Sequence, residues 1–106
     1  MSTPLKELNA QIFREQLHTK FKINIQGGDP LVLELAEVEE RNDSPKIECF
    51  SLHFVGPFTP RLLQQIHRLE HEKLGAIEIF LTAIDANQQQ GTVYESIFHR
   101  FRDKKA

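Results

Sequence analysis

Residues 62–84 read LLQQIHRLEHEKLGAIEIFLTAI, and the backbone state of this stretch decides the fold. Its second half alternates. Ile77, Ile79 and Leu81 share one parity and Glu78 and Phe80 the other, which is the period of a half-buried strand. Its first half fits two patterns. Thr59-Pro60 matches an N-cap with proline at the first helical position, Gly75 would serve as the C-terminal stop, and Leu62, Ile66 and Leu69 are spaced for one helical face. As a strand, the same residues would place His67 and His71 on a shared face.

Upstream, Lys46 to Val55 is a strand with Phe50, Leu52 and Phe54 on one face, ended by Gly56-Pro57. Ile47 and Cys49 have the other parity, which predicts a bulge or bend near Cys49. Earlier still, Phe21, Ile23 and Ile25 alternate with Lys20, Lys22 and Asn24, and Leu31, Leu33 and Leu35 alternate with Val32 and Glu34. Gly27-Gly28-Asp29-Pro30 lies between the two runs and makes them a β-hairpin. The glycine pair lacks the Lys-Ser/Thr ending of a phosphate-binding loop, so turn chemistry explains it. The second strand continues to Glu40 with a bulge where Leu35 gives way to Val38, and Glu37, Glu39 and Glu40 form an acidic edge that discourages pairing. Arg41 to Pro45 reads as a loop. Asn9 is an N-cap for a short helix, 10–17, whose Ile12, Phe13 and Leu17 face one way as a lid over one end or edge of the sheet. Residues 1–8 read as a loose arm. Downstream, Asp85 to Gly91 is a polar loop and Thr92 to His99 the last strand, with Tyr94 and Phe98 on one face and Val93 and Ile97 on the other; 100–106 is a basic tail.

A chain of 106 residues, 40% apolar and 26% charged, is one domain with one core. A formal net charge of −2 supplies no bulk attraction to nucleic acid or anionic membranes. The single cysteine, Cys49, allows no internal disulfide and reads as a small buried apolar residue. No apolar run reaches the roughly 20 residues of a membrane span. The opening MSTPLKELNA lacks the basic and apolar blocks of a signal peptide, so the expected location is cytoplasmic.

Three segments, Phe50-Ser51-Leu52-His53-Phe54-Val55-Gly56-Pro57, Leu69-Glu70-His71-Glu72-Lys73-Leu74-Gly75 and Phe80-Leu81 running to Ile84, together resemble a family of uncharacterised small bacterial domains. Asn9 to Phe13 ahead of Phe21, and the closing Tyr94-Glu95-Ser96-Ile97-Phe98, fit as well. The family usually carries an aromatic where His67 stands and often a proline where Ala83 stands. In that family the segment before Leu-Glu-His is a strand. The resemblance therefore implies a turn or single helical turn over 60–63, a strand over 64–71, and Gly75 in a hairpin connection to a strand over 76–84. The whole is then mainly β: a small six-stranded antiparallel barrel or two-layer sheet in meander-like order, with a short N-terminal helix. Its expected core is Phe21, Ile23, Leu33, Leu35, Phe50, Leu52, Phe54, Leu69, Ile77, Ile79, Leu81 and Phe98.

His67-Arg68-Leu69-Glu70-His71 matches H-x-x-E-H, the inverted zinc-protease signature. On a helix the two imidazoles could share a zinc. On a strand, at roughly 3.3 Å per residue, they lie about 13 Å apart. The strand reading thus makes His71 a residue that bonds locally and orients the 72–75 connection, with no metal or cofactor. Glu34, Glu37, Glu39 and Glu40 form no acid–base pair with distinct environments. Cys49 and His53 share only a spacing of four. Arg100, Arg102, Lys104 and Lys105, interleaved with Phe98 and Phe101, read as a solvated tail and not as a nucleic-acid site. With no catalytic set, the expected function is a non-enzymatic protein-interaction or structural module that binds a protein partner or its own copies. The resemblance further implies an accessory part of a phage-tail-like assembly. The alternative is a small-ligand-binding barrel with His53, His67 or Tyr94 near its mouth.

Overall fold

The structure, a computed structural model, describes residues 8–25, 27–44, 47–58, 61–84 and 91–101, without the side chains of 42–44, 100 and 101. The decisive stretch is extended. It supplies β4 (Gln65–His71) and β5 (Gly75–Ile84), paired from Gln65↔Leu81 to His71↔Gly75. The connection is the three residues Glu72, Lys73 and Leu74, and Gly75 at φ +75° takes the left-handed conformation with which such a hairpin loop ends. Residues 61–63 are irregular, so of the turn or single helical turn expected over 60–63 the helical form is absent from the described residues 61–63. The local helix signals around Leu62 and Ile66 lose to cross-strand pairing.

The other elements are α1 (Ala10–Arg14), β1 (Lys20–Ile23), β2 (Leu31–Ser44), β3 (Ile47–Gly56) and β6 (Thr92–Phe101). The barrel is closed in the order β1-β2-β3-β6-β5-β4. A meander would place β4 beside β3. Instead β6 occupies that edge, and β4 returns to lie beside β1, giving the spatial order 4-1-2-3 of a Greek key. The β3–β6 ladder runs unbroken from Ile47↔Phe101 to Gly56↔Thr92, whereas β1 and β4 share one bridge, Lys22↔Glu70, and β5 and β6 share three pairs.

The interior is a packed core. Phe21, Leu33, Leu35, Phe50, Leu52, Phe54, Leu69 and Leu81 have no exposed surface, and Ile23, Ile77 and Ile79 have almost none. Phe21 meets Phe54 edge to face with centroids 5.3 Å apart, and Phe50 stacks on Phe98 at 4.7 Å, geometries that add to the burial itself. Phe98 is only half-buried, because β6 there extends past the barrel and rests under α1 through Phe13. Asn9 caps α1 by accepting the Ile12 N–H at 2.9 Å. The helix is five residues long, shorter than the predicted 10–17. Leu8 is fully buried in the core and is no part of a loose arm.

The predicted bulge between Leu35 and Val38 is present as a register shift between Leu35 and Glu37. Arg41 to Ser44 continue β2 rather than looping, because the long partner β3 keeps pairing with them. The irregularity expected near Cys49 falls across from it, between Arg41 and Ser44, and β3 itself stays regular. β1 stops at Ile23, two residues short of Ile25. Gly91 (φ +137°) immediately precedes β6, beside the end of β3; a Cβ there would strike the Gly56 carbonyl, so only glycine fits. The expected arm over 1–7, the loop over 85–90 and the tail over 102–106 lie outside the described residues. No helix among the described residues is long and apolar enough to cross a membrane.

Candidate functional site

Three features of the surface combine polar or apolar groups in a way the core does not require. The first is built on His71, at the end of β4. Its Nδ1 accepts the backbone N–H groups of Lys73 (3.0 Å) and Leu74 (3.1 Å). The ring proton therefore sits on Nε2, which donates to Thr19 Oγ1 at 2.8 Å, and the Thr19 hydroxyl donates to the Gln16 carbonyl at 2.6 Å. The imidazole packs on Phe21 with centroids 4.3 Å apart. Burial pushes its pKa below the ordinary imidazole value; Glu72 pulls upward and Lys73 downward by less. His71 thus ties the β4–β5 turn to the chain leaving α1 and faces a cleft of about 550 Å³, lined also by Lys20, Lys22, Glu70, Glu72 and Lys73. Both its ring nitrogens are occupied by the fold.

The second feature crosses three strands on the outer wall. The register aligns Glu37 (β2), His53 (β3) and Glu95 (β6). His53 Nδ1 lies 3.1 Å from Glu37 Oε1, and Nε2 lies 3.1 Å from Glu95 Oε2. An ionised carboxylate only accepts, so both ring nitrogens carry protons and His53 is an imidazolium between two carboxylates. Burial pushes its pKa down, but the hydrogen bonds it donates to Glu95 and Glu37, and their charges, outweigh that and hold it above the ordinary value.

The third feature is apolar. Next to Thr82, which donates to Gln64 at 3.1 Å, the outer wall carries Phe80 paired with Ile66, and beyond them Arg68 beside Glu78. Ile97 leaves the Thr82↔Glu95 pair on the same face as Phe80, each two residues away from it. Ile66 is 65% exposed and Phe80 45%, so an apolar bar crosses β4 and β5 between polar side chains, and Ile97, 61% exposed, stands on β6 two residues past the last β5–β6 pair.

A family model described as "Domain of unknown function (DUF6916)" matches residues 8–98. The chain belongs to this family. The match takes in every segment that carried the resemblance to small uncharacterised domains. No curated protein and no solved structure matches it.

In this DUF6916 domain His67 and His71 lie on a strand and serve different bonds: His67 Nε2 donates to the Leu63 carbonyl at 2.7 Å while His71 holds the turn. The local role expected of His71 is the observed one. Among the described residues no three His, Cys, Asp or Glu side chains gather as a metal site would require. Glu40 pairs with Arg14 at 2.8 Å, and Glu34 faces His18 at 3.4 Å. Of the acidic edge, only Glu37 therefore joins the His53 cluster. Cys49 is half-buried and stands four residues from His53 along the strand. Tyr94 is buried, and its hydroxyl accepts the Leu62 N–H at 3.0 Å. The carboxylate–imidazolium row escaped the sequence reading. Its signal was the strand register, which brings Glu37 and Glu95 to His53 from 16 and 42 residues away.

Proposed function

We propose that this domain is a non-enzymatic protein-interaction module that binds through the outer wall of β4, β5 and β6. The carrying observation is the exposed pair Ile66 and Phe80 framed by polar side chains, with Ile97 exposed on neighbouring β6, since an apolar centre with a polar rim is the anatomy of a protein interface. The packed interior supports the same reading: the positions that a ligand-binding barrel would leave open hold Phe21, Phe54, Leu69 and Tyr94. The histidines best placed for chemistry, His53 and His71, spend both ring nitrogens on the fold. An accessory place in a phage-tail-like assembly is the finer form of this proposal, and it rests on the family resemblance.

The test is retention on immobilised tagged domain, with untagged chain co-expressed so that self-association also registers. Wild type retains a protein that Phe80→Glu does not, while circular dichroism shows both folded. Equal retention by the two, or none by either, refutes the proposal.

A further inference from the structure

We infer that the cleft beside His71 binds a small oxyanion, a phosphate or carboxylate group carried by a low-molecular-weight solute. The site is separate from the outer wall and does not depend on the interaction reading above. All three lysines among the described residues, Lys20, Lys22 and Lys73, line this one cleft. The strand period explains the first two: Phe21 and Ile23 are buried, so Lys20 and Lys22 share the outward face of β1. Lys22 stands across from Glu70 in the one bridge between β1 and β4, and no further pair joins described residues of the two strands on the Lys20 side. Lys73 is brought there by His71, whose Nδ1 accepts the Lys73 N–H at 3.0 Å and whose Nε2 donates to Thr19, the residue before Lys20. The imidazole that holds the turn thereby fixes the backbone of one lysine against the strand that carries the other two. None of the three ammonium groups has an ion-pair partner among the described residues, whereas Arg14 and Arg68 each have one. Glu70, although opposite Lys22, accepts from the Asn24 amide at 3.3 Å. With Glu70 and Glu72 in the lining, three cations face two carboxylates, and the cleft keeps a positive excess on a chain of net charge −2. A lysine ammonium is a compact charge with three donors, so it takes phosphate and carboxylate alike. The cleft volume of about 550 Å³ is that of a small-molecule pocket, and the two carboxylates accept from hydroxyls of such a solute but repel a long polyanion.

Proton–nitrogen correlation spectra of the full chain test this, recorded as sodium phosphate or, separately, sodium succinate is added at constant pH, against sodium chloride at matched ionic strength. At least one of the two anions is expected to shift the amides of Thr19, Lys20, Lys22 and Lys73 saturably, and the tighter of the two names the group that the cleft prefers. Lys22→Gln and Lys73→Gln, both exposed positions that the core does not use, should each weaken that binding by about threefold or more, a modest factor because water screens these ammonium groups. Arg68→Gln and Phe80→Glu, on the outer wall, should leave it unchanged, so the cleft and the interaction surface stand or fall separately. Shifts no larger than those in sodium chloride, or binding indifferent to both lysine substitutions, overturn the inference. So does heparin binding through these lysines when neither small anion binds, which would make them a general polyanion surface.

Discussion

Replacing His71 by phenylalanine would measure what the turn-holding imidazole contributes. The substitution keeps an aromatic ring on Phe21 but deletes three hydrogen bonds: those accepted from Lys73 and Leu74 and the one donated to Thr19. At a net 0.5–1.5 kcal/mol each, the loss is about 2–3 kcal/mol, or roughly 10–20 °C in Tm for a domain of about 100 residues. His71→Asn should recover part of it, because an Asn oxygen can accept the N–H two residues on. The pH profile is a second reading of the same bonds. The folded pKa of His71 lies below its ordinary value of 6.5, so its contribution is present above pH 6.5 and is lost as pH falls through the folded value. Protonated Nδ1 cannot accept from Lys73 and Leu74. Urea denaturation between pH 4 and 8, a range of about four units spanning the imidazole transition, should show wild type losing stability on the acid side and His71→Phe losing less. Equal stability of the two proteins at pH 8, or identical acid limbs, would refute the account.

His53 should behave in the opposite sense. Its pKa is raised, so its contribution is complete below pH 6.5 and fades as pH climbs through the folded value; His53→Gln should flatten that alkaline limb in the same urea series. The effect should be about 1 kcal/mol or less, since Glu37 is 60% exposed and water screens the pair. Gly91→Ala should cost about 2 kcal/mol or more, because strain at positive φ and collision with the Gly56 carbonyl coincide, whereas Gly27→Ala, with open space around it, should cost only about 1 kcal/mol; thermal melts compare them. Asn9→Ala should remove the cap of α1 for about 1 kcal/mol, read as a lowered urea midpoint.

Strand identity and facing were legible because burial imposes a period of two. Eleven of the twelve expected core residues are buried, and the exception, Phe98, sits where β6 leaves the barrel. Asn9 and the Leu35 bulge were legible because each is a local event. Strand order was not, since every strand here presents the same alternation and nothing local says that β3 pairs with β6 rather than β4. The same limit hid the His53 row and the apolar bar. Phe80 shares its parity with Glu78 and Ile97 with Val93, and neither strand read alone says which of these faces is the outer wall. At Arg41 to Ser44 the turn-forming composition was real, but pairing with β3 overrode it.

The sheet is stitched unevenly. Long ladders bind β2, β3 and β6 into one unit, while the β4–β5 hairpin is sewn to its neighbours by the Lys22–Glu70 bridge on one side and by Thr82, Ala83 and Ile84 on the other. The cheapest way to breach the barrel is therefore to swing that hairpin outward as a hatch. Amide protons of Leu69 and Ile77 should then exchange with solvent well before those of Leu52 and Phe54, and a partner seated across Ile66, Phe80 and Ile97 would act as the latch that keeps the hatch shut.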